Sequence, residues 1–213
     1  MLMFLVRHAE STWNRAKKIQ GQRDPQLSAY GKKEARLLAK RFKDLTFDAV
    51  YTSPLKRAYQ TAEIVVGKKT PIIREEGLNE ICLGEWEGKT LRNIRKEYGE
   101  TFDRWAVRPT RIRIPGGEDF RAFVRRVKTT LRSIESAHEG RNVLVVCHGG
   151  VISTYATIVL NLPPDDVWCL TVKNASLTIV EVGAELHKLI TFNDISHLMG
   201  LKDLGAGEVT HVD

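Results

Sequence analysis

Val143-Leu144-Val145-Val146-Cys147-His148-Gly149-Gly150 sets the architecture of this 213-residue chain. Five apolar residues run without alternation. A strand of that kind must be covered on both faces, as in a parallel sheet with helices above and below. The glycine pair ends the strand and opens a helix expected to reach Leu160. The N-terminus has the same build: Met1 to Val6 is apolar and stops at Arg7-His8. Leu27 to Leu45 follows as an amphipathic helix, with Ala35, Leu38, Ala39 and Phe42 on one stripe and Ser28 at its N-cap. Phe47 to Thr52 gives a second strand. Ser53-Pro54 then reads as the cap and first residue of a helix running to about Val66. Pro71 to Arg74 is a short third strand. Leu170 to Val172, Leu177 to Val182 and Leu186 to Phe192 are later strands, some at a hairpin or edge. Strands alternating with helices predict an α/β fold, a three-layer sandwich around a mainly parallel sheet.

Ile81 to Glu118 breaks the pattern, with helical pieces, Trp86, Trp105 and the breaker Pro115-Gly116-Gly117. It reads as a partly helical cap insertion, about 81–118, over one end of the sheet in a single domain of residues 1–213. Both tryptophans are expected in the core of that insertion rather than as substrate platforms. The tail after Leu201 is expected to fray.

The net charge of +7 and pI of about 9.4 fit nucleic acid, an acidic membrane or anionic small molecules, and choose none of them. Lys32 to Lys43 and Arg121 to Arg132 read as solvated helix faces. Cys82, Cys147 and Cys169 form no close pair, which argues against a disulfide framework and a structural zinc, and for a reducing cytoplasm. Cys147 is expected to be a small buried hydrophobe. No run approaches the ~18 apolar residues of a spanning helix, and six apolar N-terminal residues are too few for a signal peptide. A soluble, cytoplasmic protein with no membrane partner is the expectation.

The chemistry gathers where strands end, the side on which open α/β sheets bind ligands. Arg7 and His8 follow the first strand, Ser53 and Arg57 the second, Glu80 the third, and His148 the strand quoted first. Guanidinium forks match phosphate oxygens, and the Gly149-Gly150 helix start offers amide donors to an anion. Metal is a poor alternative, because Arg7 and Arg57 would repel a cation. With a phosphoryl group held, a neutral histidine can act as nucleophile. Neighbouring arginines favour the neutral ring, and a backbone carbonyl is expected to hold its tautomer. Glu80 is the best-placed acid, provided burial keeps it protonated, and it could then serve as base toward water. His138, His187, His197 and His211 read as polar surface residues. Ser11 and Ser53 lie in no nucleophile elbow, and Lys56 points away from Arg57.

Leu5-Val6-Arg7-His8-Ala9-Glu10-Ser11-Thr12-Trp13-Asn14 resembles the R-H-G-E-[ST] signature of the histidine phosphatase superfamily, the phosphoglycerate-mutase-like proteins. The resemblance continues through Gln20-Gly21, Leu27-Ser28-Ala29-Tyr30-Gly31, Ser53-Pro54-Leu55-Lys56-Arg57-Ala58, Leu78-Asn79-Glu80 and Gly84-Glu85-Trp86-Glu87-Gly88. Pro115-Gly116-Gly117-Glu118, Cys147-His148-Gly149-Gly150, Asn174-Ala175-Ser176 and Asn193-Asp194 complete it. It implies that His8 forms a phosphohistidine and that Arg7, Arg57 and His148 make the phosphate pocket. It further implies that Glu80 donates the proton, that Asn14, Gln20 and Gly21 line the pocket, and that the Gly149 amide touches phosphate. No metal or organic cofactor is implied. Ala9 stands where the signature usually has Gly; Ala also occurs among phosphatase-like members.

Mutases of the family carry an Arg-His-Tyr-Gly run after the catalytic Glu and a longer insertion. Here Ile81-Cys82-Leu83-Gly84 follows Glu80, and only Lys89 to Pro115 intervenes before Gly116-Gly117. The resemblance therefore implies a phosphatase acting on a small phosphorylated metabolite. Mutase-type phosphoryl transfer is the alternative, and a non-catalytic relative binding anions or nucleic acid is the second. Against the latter stands the intact set Arg7, His8, Arg57, Glu80 and His148, so no nucleic-acid partner is expected; a homodimer is admitted. Arg92, Arg95, Arg104, Arg108, Arg111 and Arg113 could grip a second anionic group, but solvation is the expectation for each.

Overall fold

A computed structural model describes residues 1–67 and 69–201. The tail after Leu201, with His211, lies outside the described residues. One sheet holds β1 (Leu2–Arg7), β2 (Ala49–Thr52), β3 (Ile73–Arg74), β4 (Asn142–Cys147), β5 (Leu177–Val182) and β6 (His187–Asp194), in the order β3-β2-β4-β1-β5-β6. β3, β2, β4 and β1 run parallel; β5 is antiparallel to β1, and β6 to β5. The helices are α1 (Thr12–Arg15), α2 (Ala29–Arg41), α3 (Lys56–Val66), α4 (Leu91–Val107), α5 (Phe120–Ala137) and α6 (Gly149–Val159).

Strand alternation sorts the core into two layers. Phe4, Val6, Leu144 and Val146 face Leu38 of α2, Phe42 at its C-terminal end, and Ala58 and Ala62 of α3. Met3, Leu5, Val143 and Val145 face Phe123, Val127 and Leu131 of α5 and Val151, Ile152 and Tyr155 of α6. This is the expected three-layer α/β sandwich. Each fully buried aliphatic side chain contributes about 1.5–3 kcal/mol, so the doubly covered β1–β4 pair is the rigid member from which the site hangs. Cys147 is fully buried, and burial pushes its thiol well above its ordinary range, as expected of a small core residue.

Two expectations are corrected. Ser53-Pro54 does not start α3, whose N-cap is Leu55, without a side-chain cap bond. Proline disfavours helical geometry in the residue before it, and the Ser53 hydroxyl has partners elsewhere, Asn79 at 2.7 Å and His148 at 2.9 Å. Leu170 to Val172 is not a strand. The place beside β1 is taken by β5, and the chain reaches it through a 3-10 turn at Pro164–Cys169.

Within residues 81–118, 3-10 turns at Gly84–Trp86 and Pro109–Arg111 flank α4. Trp86, Phe102, Trp105 and Ile114 join the same core as α5 and α6. Residues 81–118 are thus packed onto the sheet's helical layer through their own aromatic side chains. Among the described residues no helix is long and apolar enough to cross a membrane.

Candidate active site

The β1–β4 register pairs Arg7 with Cys147, so His8 and His148 leave the sheet side by side, ring centroids 5.2 Å apart. The His8 amide donates to the Cys147 carbonyl at 2.9 Å, and the His8 carbonyl accepts from Asn174 Nδ2 at 3.0 Å. Its ring Nδ1 lies 2.8 Å from the Ala9 carbonyl oxygen. A carbonyl only accepts, so Nδ1 carries the hydrogen and Nε2 the lone pair. Arg57 Nε–H donates to that Nε2 at 3.3 Å. Both bonds demand the same tautomer, and the expected backbone carbonyl is Ala9's. The Ala9 amide in turn donates to Thr61 Oγ1 at 3.0 Å, which ties this loop to α3.

Arg57 sits in the first turn of α3 and is 1% exposed. Burial lowers its pKa to about 10, which leaves it cationic at neutral pH. Its Nη1 and Nη2 donate to the carbonyls of Arg23 and Gly21 at 2.6 and 2.7 Å. Those carbonyls belong to a loop held by Glu87, whose carboxylate accepts from Gln22 N at 2.9 Å and Leu83 N at 3.0 Å and pairs with Arg23 at 3.2 Å. Gly21 has φ +49°, and a Cβ there would overlap the Glu87 carboxylate. Gly21→Ala should therefore tilt the Arg57 fork. We expect inorganic phosphate to inhibit the variant about tenfold more weakly, or ~1.4 kcal/mol; an unchanged inhibition constant would show that the loop does not set Arg57.

Arg7, also buried, reaches the Val172 carbonyl through Nη1. His148 caps α6 with its backbone and is fully buried. Burial first, then the positive charges of Arg57 and Arg7, hold its pKa well below the ordinary imidazole range. Glu80 accepts from the Ile81 amide at 3.0 Å and the Gly150 amide at 3.1 Å. Burial nevertheless raises its pKa, outweighing those two bonds and the nearby Arg57 and Arg7. A Cβ on Gly150 would run into the Glu80 carboxyl, so only glycine lets α6 approach it. Asn14 Oδ1 closes the capping box of α1 on the Ser11 amide at 3.0 Å, and Ser11 Oγ donates to Gln20 at 2.6 Å.

A cleft of about 50 Å³ is lined by Arg7, His8, Asn14, Gln20, Gly21, Arg57 and Glu80, all of them expected there from the sequence. His148 and Gly149 are buried and do not line it. The remaining wall is apolar and aromatic: Ile19, Ile81, Leu83, Trp86, Phe102, Trp105 and Trp168, with Lys18 as the one further cation among the described residues. Trp86 and Trp105 are thus both core and cleft wall. Arg92, Arg95, Arg104, Arg108, Arg111 and Arg113 are exposed and do not reach the cleft, as expected of solvated arginines. Sequence reasoning missed Lys18, Phe102, Trp168 and Glu87. Lys56 points away, pairing with Asp24 at 3.4 Å.

The family model of the histidine phosphatase superfamily (branch 1) matches residues 3–195. The chain is 34% identical to phosphoserine phosphatase 1 of Hydrogenobacter thermophilus over 92% of its own length and 93% of that protein. It is 33% identical to the probable phosphoglycerate mutase GpmB of Yersinia enterocolitica over 84% of each chain. The solved structure of Bacillus stearothermophilus YhfR superposes with a TM-score of 0.87 at 36% identity, covering 92% of this chain and 98% of that one. The chain belongs to the histidine phosphatase superfamily.

Proposed function

We propose that this chain is a phosphomonoesterase that hydrolyses small phosphorylated metabolites through a phosphohistidine on His8. The observation that carries the reading is the doubly enforced tautomer of His8, which leaves the Nε2 lone pair on the cleft. Nε2 attacks phosphorus, the bond from phosphorus to the ester oxygen breaks, and protonated Glu80 delivers its proton to that oxygen. Water then attacks the phosphohistidine while the Glu80 carboxylate takes up a proton, which releases inorganic phosphate and restores both residues. Arg7 and Arg57 hold the phosphoryl oxygens, with Asn14, Gln20 and Gly21 beside them; His148 and the Gly149 amide, which the family resemblance also assigns to phosphate, lie directly behind the cleft wall. The reading takes residues 1–213 as one domain, closed on one side by residues 81–118, acting in the cytoplasm without metal or nucleic acid and with a homodimer admitted.

The similarity to a phosphoserine phosphatase supports hydrolysis; that to a probable phosphoglycerate mutase keeps transfer to a second hydroxyl as the alternative. Two assays decide. p-Nitrophenyl phosphate in EDTA should be turned over somewhere between about pH 5 and 8, the span of histidine and raised-carboxyl titration, and silence across that range would end the enzymatic reading. With 3-phosphoglycerate and a bisphosphoglycerate primer, free phosphate is expected. Isomer without free phosphate would mean a mutase.

A further inference from the structure

Glu80 sits on an irregular segment, residues 77–82, that has only a single 3-10 turn (Glu76–Leu78) for support. Two side chains outside the cleft donate to its carbonyls: Gln22 Nε2 reaches that of Glu80 at 3.1 Å, and Arg126 holds several at once. Arg126, midway along α5, donates through Nη1 to the carbonyls of Gly77 at 2.9 Å and Asn79 at 2.8 Å. Its Nη2 lies 3.5 Å from the carbonyl of Glu80 itself. The other edge of the guanidinium meets Glu118 twice, Nε to Oε1 at 3.1 Å and Nη2 to Oε2 at 2.8 Å. Glu118 is stitched to the same segment: its amide donates to the Cys82 carbonyl at 2.9 Å, and its carboxylate accepts from the Cys82 amide at 3.4 Å. The segment also lies flat on α5, since a Cβ at Gly77 would overlap the Thr130 side chain. α5 itself is fixed by Phe123, Val127 and Leu131 in the core.

We propose that Arg126, bridged to Glu118, is the positioning residue for the proton donor: it fixes the Glu80 backbone so that the carboxyl points into the cleft. The inference rests on reading Glu80 as that donor. Three carbonyls on one side and a carboxylate on the other need five donors in a planar fork, which lysine does not have. Glu118 balances the charge, so the action on Glu80 is geometric. The arginine run 121–132 of α5 is otherwise solvated, with Arg121, Arg125 and Arg132 exposed, and Arg126 is the exception to that expectation.

The test exploits the leaving group. p-Nitrophenolate departs without a proton, whereas an alkoxide needs one. In Arg126→Met the ratio of kcat/KM for an alkyl phosphate to that for p-nitrophenyl phosphate should fall about tenfold, within the range that general acid catalysis supplies. Arg126→Lys should rescue little. Glu118→Gln, which keeps the guanidinium and weakens the fork, should shift the ratio in the same direction by about threefold. It also covers the case in which Arg126→Met does not fold. A merely structural role would lower both substrates together and leave the ratio constant, which would overturn the proposal. Glu80→Gln, measured alongside, separates the two levels. A normal ratio there removes the donor reading itself; a collapsed ratio there with a normal one in both clamp variants removes only the role of Arg126.

Discussion

His8→Ala should leave a folded protein that binds phosphate and turns over nothing. kcat is expected to fall roughly 10⁴-fold or more, as when an enzymatic nucleophile is removed. The chemistry fails because no other group presents a lone pair at that point. Arg57 and Arg7 are cationic donors, and burial shifts Glu80 toward its protonated form. His148 is neutral but does not line the cleft. Binding should survive because the donors around the phosphoryl position hang on separate elements: Arg57 on α3 is held by the Gly21 and Arg23 carbonyls, and Arg7 by that of Val172. Inhibition by inorganic phosphate should therefore stay within about tenfold of wild type, or ~1.4 kcal/mol. The direct readout is covalent. Wild type quenched in alkali, which spares the P–N bond, should carry a phosphoryl increment on the peptide containing His8, and the variant none. Full activity in His8→Ala, or a label on another residue, would sink the mechanism.

How far this was legible in the sequence follows from where each residue sits. His8 and His148 were readable because each follows an uninterrupted apolar strand, and a parallel pair in register brings both strand ends to one edge. Arg57 and Glu80 were readable for the same reason, one strand further out in each case. Residues whose role depends on a neighbour distant in sequence were not. Arg126 obeys the polar periodicity of a solvated helix face, and nothing local says that the carbonyls of residues 77–80 lie against it. Glu87 looks like one more charge in the insertion until its carboxylate is found under Gly21. Ser53 followed by Pro54 matches a cap signal, yet its hydroxyl serves His148 and Asn79 across the site. Trp168 belongs to a 3-10 turn beyond Pro163-Pro164, where hydrophobic periodicity carries no information about direction.

Glu80→Gln has the second-largest expected effect, and its sign in pH separates it from a general loss of structure. With an alkyl phosphate, kcat/KM should drop by roughly 10²–10⁴, the contribution of a positioned acid. The wild-type carboxyl titrates above its ordinary value because burial penalises the anion more than Arg57, Arg7 and the two backbone amides favour it. Activity in the forward step needs the protonated form, so wild-type kcat/KM should decline on the alkaline side of that raised value, and the residual activity of Glu80→Gln should lack that limb. Stability moves with the same group. Between the unfolded carboxyl pKa of about 4.3 and the raised folded one, the native state binds a proton that the unfolded state has lost. Its contribution is thus fully present below the unfolded value and lost as pH rises through the folded one. Glutamine cannot ionise. It leaves one of the Ile81 and Gly150 amides without an acceptor, at a cost of about 1–3 kcal/mol, but that cost does not vary with pH. His148 acts in the opposite sense, since its lowered pKa costs stability as pH falls below about 6.5. It is present in both proteins and cancels in their difference. The Tm of Glu80→Gln minus that of wild type should therefore rise from pH 4 to pH 8, the window that spans the carboxyl transition. Parallel Tm curves would mean that Glu80 is ionised in the native state at neutral pH, and a carboxylate already ionised has no proton to give the leaving oxygen.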